Sequence, residues 1–156
     1  MRQTLGGFLV LALAAAGCRG KAPYEGKSVA QLEAMLRSTD PMAQAQGAFG
    51  LSRLGPEARA AVPALVEVLR SGEPLARQNA ALALTHIGPD AHEAVPALTE
   101  ALQDPDWKIR RQAAQALGQI GPAAAPALPE LKKLSQDPDR LVRQAAQDAL
   151  QKLSGS

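Results

Sequence analysis

A 33-residue period is the feature of this sequence that most restricts its fold. A Gly-Pro pair recurs with this spacing, at Gly55, Gly88 and Gly121. A Val-Pro or Leu-Pro pair recurs with the same period and without insertions, at residues 62, 95 and 128. A unit of this length is too small to bury its own apolar faces, so neighbouring units must stack to form a core.

The apolar residues inside each unit follow helical spacing. In the third unit they lie one, three or four positions apart, at Ile109, Ala113, Ala116, Leu117 and Ile120. This spacing predicts a long first helix in each unit. A shorter second helix is predicted to start near each Val-Pro or Leu-Pro pair.

Both ends of the first helices carry sequence signals. Acidic residues precede these helices, at Asp40, Glu73, Asp106 and Asp139. Their carboxylates are expected to accept hydrogen bonds from the free N–H groups of the first turn. The Gly-Pro pairs are expected to end the same helices, because glycine adopts the left-handed conformation and proline blocks continuation.

The period therefore predicts an all-α chain of about eight helices over residues 27–154. A half-unit at 27–37 holds a lone second helix, and full units follow at 38–70, 71–103 and 104–136. A closing half-unit at 137–154 holds a lone first helix.

These units resemble HEAT repeats of the phycobilisome-lyase type. The signature is clearest in residues 104–122, Asp-Pro-Asp-Trp-Lys-Ile-Arg-Arg-Gln-Ala-Ala-Gln-Ala-Leu-Gly-Gln-Ile-Gly-Pro. The resemblance covers residues 27–153 and implies a right-handed α-solenoid. It also implies that the second helices line the concave side and that the function is binding.

The N-terminus has the pattern of an export signal. Arg2 precedes an apolar stretch from Leu5 to Ala16, small residues follow, and Cys18 is the sole cysteine. A helix of about 12 residues covers only ~18 Å, less than the ~30 Å hydrocarbon core of a bilayer. We therefore expect a signal peptide at residues 1–17 rather than a permanent membrane span.

The segment from Leu13 to Cys18 resembles a bacterial lipobox. The resemblance implies a diacylglycerol, carrying acyl chains such as palmitate, on Cys18, with residues 18–26 as a lipidated tether. It places the protein in the bacterial cell envelope, and Arg19 after the cysteine favours the periplasmic face of the outer membrane. The alternative is ordinary cleavage that releases a soluble secreted protein.

Composition and motifs exclude several kinds of function. The formal net charge is only +2, which is too little to attract the phosphate backbone of a nucleic acid. A single His-Glu pair, His92 with Glu93, cannot fill the coordination sphere of a metal ion. No Gly-x-Ser-x-Gly elbow or phosphate-binding loop is present. We therefore expect no enzyme, no cofactor and no metal, although a lyase-like or metal-dependent activity is known among HEAT families.

Charged residues on the second helices are candidates for partner binding. Glu67 and Glu100 lie toward the N-terminal end of the stack, which is called its front. Lys132 and Lys133 lie toward the C-terminal end, which is called its back. Such a gradient would orient a protein or peptide partner, whereas the alternative is an ordinary solvated face. Trp107 is either an anchor for a partner or a staple at a helix start.

A column of arginines has both a functional and a structural interpretation. Arg77, Arg110 and Arg143 share one repeat position. They form either a basic ladder for an anionic partner or acid–base pairs, within one helix or between neighbouring units.

Polar residues on the last helix, Gln144, Gln147, Gln151 and Lys152, predict a monomer. Together these features predict a membrane-anchored, non-catalytic adaptor protein.

Overall fold

A computed structural model describes residues 21–155 of the chain as eight α-helices, with no strand among these residues. The first layer contains the long helices α2 (Pro41–Leu54), α4 (Pro74–Ile87), α6 (Trp107–Ile120) and α8 (Arg140–Ser154). The second layer contains the shorter helices α1 (Val29–Leu36), α3 (Val62–Ser71), α5 (Val95–Ala101) and α7 (Leu128–Leu134). The predicted helical solenoid is confirmed.

The Gly-Pro pairs do not open into loops. Each begins a 3-10 helix that leads directly into the next α-helix: Gly55–Ala61, Gly88–Ala94 and Gly121–Ala127. The described residues therefore form five uninterrupted helical runs, which bend into eight α-helices. The Gly-Pro pairs predicted only that the long helices end here, whereas proline also suits the first turn of the short helix that follows.

The glycines of these pairs adopt a backbone conformation that only glycine tolerates easily. Their φ angles are +58°, +70° and +78°, with ψ between −130° and −144°. This is the mirror image of the β region rather than the left-handed helical conformation that we expected. A Cβ at Gly121 would meet nothing within 4 Å, so conformation and not space requires glycine there.

Three of the four predicted acidic caps form. The carboxylates of Asp40, Asp106 and Asp139 accept hydrogen bonds from backbone N–H groups two residues later, at 3.0, 2.9 and 2.8 Å. Glu73 occupies the same position before α4 but makes no capping hydrogen bond. Its prediction was wrong, and the physical reason is that the longer glutamate side chain is a poor match to the N–H groups of the first turn.

The core lies between the two layers and between successive first-layer helices. Large side chains fill the first of these spaces, and Leu51, Leu84 and Leu117 of one repeat column are fully buried. Small residues fill the second, since a Cβ at Gly118 of α6 would lie 3.2 Å from the Cβ of Ala149 on α8. Side chains this small let helix axes approach each other closely.

Bidentate ion pairs join consecutive units at the ends of the first-layer helices. The Arg77 Nε donates to Asp104 Oδ2 at 2.9 Å, and the Arg110 Nε donates to Asp137 Oδ2 at 2.8 Å. A third bond from each guanidinium reaches a carbonyl before its own helix, Gly72 O at 2.9 Å and Asp104 O at 2.8 Å. The arginine column is thus a structural ladder between units rather than a set of pairs within one helix.

Arg143 ends this ladder without a carboxylate partner among the described residues. Its Nη1 donates to the carbonyls of Asp137 and Pro138, at 2.7 and 3.0 Å. These bonds tie α8 to the preceding loop in the same way as in the other units. The role of Arg143 is therefore also structural.

The two layers are spaced differently along the stack. Each first-layer helix packs along its length on the next, whereas consecutive second-layer helices touch at few positions. A stack that is closer-spaced in one layer bends toward that layer. The first-layer helices therefore form the inner side, contrary to the expectation, drawn from the resemblance, that the second helices would line it.

Asp137 is expected to stabilise the fold in a pH-dependent way. Burial raises the pKa of its carboxyl, but hydrogen bonds from Arg110 and the Asp139 backbone, with nearby positive charge, outweigh this and lower the pKa overall. A lowered carboxyl pKa contributes stability above its unfolded-state value, and this contribution is lost as the pH falls through the folded-state pKa. The loss begins below about pH 4.

Replacing Asp137→Asn should therefore lower the free energy of unfolding by about 2–4 kcal/mol at pH 7, because the half-buried Arg110 loses its counter-ion. Urea unfolding across pH should show this difference shrinking below about pH 4. The control is Arg37→Ala, whose side chain is 64% exposed and which should cost less than about 1 kcal/mol. A difference that does not change with pH would contradict the expectation.

Gly47 and Ala80 hold the same repeat position but should not be interchangeable. A Cβ at Gly47 would lie 2.8 Å from both the Leu32 carbonyl oxygen and the Met35 Cβ, so Gly47→Ala should displace α1 and destabilise the protein by about 1–3 kcal/mol. This reverses the usual gain of about 1 kcal/mol on placing alanine in a helix. The reciprocal Ala80→Gly should also destabilise, and a rise in melting temperature for Gly47→Ala would refute the argument.

Candidate binding groove

The first-layer helices α2, α4, α6 and α8 have one face that points away from the second layer. This face is called the groove below. One part of it is a cavity of about 350 Å³ across α4, α6 and α8. The cavity is lined by mostly polar residues, among them His86, Gln112, Gln115, Gln119 and Asp148. A smaller cavity of about 130 Å³ lies between α2 and α4.

Side-chain hydrogen bonds between adjacent helices fix the floor of the groove. The Asn79 amide donates to the Ala45 carbonyl at 2.9 Å, and the Gln112 amide donates to the Thr85 hydroxyl at 2.9 Å. His86 Nδ1 lies 2.7 Å from the Ser52 carbonyl oxygen. A carbonyl only accepts, so Nδ1 carries the proton and donates it to Ser52.

The front end of the groove is apolar. Met42 is 55% exposed and Leu75 is 50% exposed, and both line the smaller cavity together with Phe49 and Tyr24. The two aromatic rings meet edge to face, with centroids 5.1 Å apart. Exposed aliphatic side chains beside a rigid aromatic pair are typical of surfaces that bind a partner.

The apolar front follows a repeat position that sequence analysis missed. Met42, Leu75 and Leu141 are the exposed large hydrophobic residues among those described, and they occupy one column of the 33-residue repeat. The fourth member of the column is Lys108. The signal was present in the sequence as apolar residues that recur outside the buried stripe of the first helices.

Trp107 and Arg111 form a stacked pair at the start of α6. The Arg111 guanidinium carbon lies 5.4 Å from the Trp107 ring centroid and the Lys108 Nζ lies 6.0 Å from it. Trp107 is partly buried and packs against the core. The Arg111 Nε is buried and has no hydrogen-bond partner, so the guanidinium rests on the ring instead of on a carboxylate.

The charged residues predicted to bind a partner lie on the second layer, away from the groove. Glu67, Glu100, Lys132 and Lys133 are all exposed on α3, α5 and α7. The structure does not bring these four residues together with Trp107, which lies at the start of a first-layer helix. Their role in binding a partner stays a prediction.

Ion pairs reduce the predicted charge gradient on the second layer. The Arg70 guanidinium donates two hydrogen bonds to Glu100, both at 3.0 Å, and these bonds lower the pKa of Glu100. Lys133 donates to Glu130 at 2.7 Å. The acidic front and the basic back are therefore each partly neutralised within this layer.

Two other predicted features concern lipid and metal. Cys18 lies outside the described residues, so its lipidation stays a prediction. Within residues 21–155, no group of three or more His, Cys, Asp or Glu side chains is arranged to hold a metal ion. No helix in this part of the chain is both long and apolar enough to cross a membrane.

Known repeat structures resemble this one. An engineered protein solved by a structural genomics consortium superposes with a TM-score of 0.71 at 28% identity, covering 81% of this chain and 62% of its own. A designed armadillo repeat protein in complex with the peptide (KR)4 gives a TM-score of 0.72 at 18% identity, covering 80% and 64%. The chain thus spans less than two thirds of both proteins.

A natural structure is similar as well. The complex of CpcE and CpcF of phycocyanin lyase from Nostoc sp. PCC7120 gives a TM-score of 0.60 at 25% identity, covering 83% of this chain and 66% of that one. Among curated proteins, none matches the sequence. Residues 62–151 match the family of HEAT repeats, a match over more than half of the 156 residues. The chain belongs to the HEAT-repeat family.

Proposed function

We propose that this protein is a non-catalytic adaptor, anchored to a membrane by lipid on Cys18, whose groove binds a protein or peptide. The observation that carries the proposal is the open groove across α4, α6 and α8, with its cavity of about 350 Å³ and its rigid, hydrogen-bonded floor. Binding on such a preformed surface costs little ordering entropy. The designed armadillo repeat protein that resembles this chain was solved in complex with a peptide, which supports the same kind of partner.

The anchor part of the proposal depends on the N-terminal sequence. Residues 13–18 resemble a lipobox, and acyl chains contribute ~0.8 kcal/mol of membrane affinity per buried CH₂, so two or more chains hold a protein firmly. Tyr24 packs against Phe49 at the front of the solenoid, so the folded part begins six residues after Cys18. Fully extended, those six residues span at most ~20 Å, which would hold the front of the groove close to the bilayer.

A second candidate function is a lyase-like activity. The similarity to CpcE and CpcF of phycocyanin lyase at 25% identity favours it. Against it, the aromatic residues among those described are Tyr24, Phe49 and Trp107, which offer little surface for a flat conjugated pigment. Visible absorbance in the purified protein would support this second candidate.

Replacing Cys18→Ala should release the protein from membranes. The expected result is a shift of most of the protein from the membrane pellet to the soluble fraction, with loss of the lipid mass from its N-terminus. Fractionation and intact-mass spectrometry provide the measurements. A Cys18→Ala variant that pellets like the parent would show that the anchor is assigned wrongly.

Photo-cross-linking should locate the binding surface. A photoreactive amino acid at Leu82 or Gln115, both in the groove, should capture a partner in intact envelopes. The same amino acid at Glu67 or Lys132, exposed on the second layer, provides matched controls and should capture little. Stronger cross-linking from the control positions would place the partner on the second layer and overturn the groove assignment.

A further inference from the structure

The groove differs in charge from the rest of the surface. Its outward positions carry the cations Arg53, Lys108, Arg111 and Lys152, with one acidic residue, Asp148. A surface on which cations outnumber acids in this way attracts a negatively charged partner.

Three of these cations lack acidic partners among the described residues. The ion pairs that Arg37, Arg70, Arg77, Arg110 and Lys133 form with carboxylates of residues 21–155 all lie outside the groove. Arg53, Lys108 and Arg111 form no ion pair with a described residue. No carboxylate of the described residues neutralises these charges, so they can pair with carboxylates from another molecule.

The apolar and cationic parts of the groove lie within reach of one short segment. Met42 and Leu75 are on α2 and α4, and Lys108 and Arg111 are on α6. Packed helices are about 8–10 Å apart, so the two parts are separated by less than about 20 Å. An extended peptide rises about 3.3 Å per residue, so about six residues connect them.

We propose that the groove binds an acidic, amphipathic segment of a partner protein. Aliphatic or aromatic side chains of the segment pack on Met42, Leu75 and Phe49, and carboxylates about six residues away pair with Lys108 and Arg111. This inference rests on the proposed function and names the chemistry of its partner. The inner curvature of the face favours an inserted segment over an anionic bilayer, because a flat membrane surface cannot reach the floor of a concave groove.

Binding of synthetic peptides tests the proposal. The full-length protein is reconstituted in nanodiscs of phosphatidylcholine, and fluorescence anisotropy is measured with a 12-residue peptide that carries leucines in one half and glutamates in the other. We expect it to bind at least about tenfold more tightly than the same peptide with lysines for glutamates, and raising the salt to 0.5 M should reduce this difference because exposed charges are screened. Equal affinity for both peptides would overturn the proposal.

Single substitutions test which part of the groove binds the acidic half of the segment and which part binds the apolar half. Lys108→Glu should weaken binding of the acidic peptide by about fivefold or more, whereas Arg59→Glu, an exposed cation on a 3-10 helix, should not. Leu75→Ser should weaken binding similarly, whereas Leu141→Ser, in the same repeat column but at the far end of the stack, should have little effect. Circular dichroism of each variant establishes that it is folded.

The remaining outcomes separate this inference from the proposed function. If no peptide binds but Leu82 and Gln115 still cross-link a partner, the groove assignment holds and the acidic segment is refuted. If the protein binds vesicles with added phosphatidylglycerol through Lys108 and Leu75 and ignores the peptides, the face is a lipid surface and the inference is wrong.

Discussion

Contact between small side chains sets the spacing of the first layer, and the rest of the architecture follows from that spacing. Between α6 and α8, for example, a Cβ at Gly118 would lie 3.1 Å from the Ala149 Cα, so small side chains let these long helices approach each other closely. The second-layer helices carry leucine toward the same core, so they stand further out. A stack that is tight on one side and loose on the other curves, and the curvature turns the outward face of α4 and α6 into a groove.

Gly47 shows how little space the closest helix contacts leave for a side chain. It replaces the alanine of the other units where α1 packs closest, and a single methyl group there would meet the Leu32 carbonyl oxygen at 2.8 Å. The contributions of such contacts to stability add up along the stack, because each unit touches only its neighbours. The bidentate pairs from Arg77 and Arg110 fix the register of one unit on the next, because two parallel hydrogen bonds form in only one relative orientation.

The fold was largely predictable from the sequence, whereas the position of the groove was not. The spacing of Gly55, Gly88 and Gly121 identified the units, and helical periodicity identified the helices, since both signals are local. Which layer lies inside depends on the relative spacing of helices far apart in sequence, and no local pattern encodes that. The candidate residues on α3, α5 and α7 were therefore selected on the layer that the structure places outside, and the column of Met42 and Leu75 was overlooked.

The sequence by itself determined the helices, their order and the stacking of 33-residue units, because backbone hydrogen bonding and apolar periodicity are written along the chain. Only the tertiary structure decided the partners of its charged groups. The Arg110 carboxylate partner is Asp137, 27 residues away, rather than the nearer Asp106, because the next unit brings Asp137 beside it. Arg53, Lys108 and Arg111 likewise have no carboxylate partner among the described residues, since they lie on a face of the first-layer helices where acids are scarce.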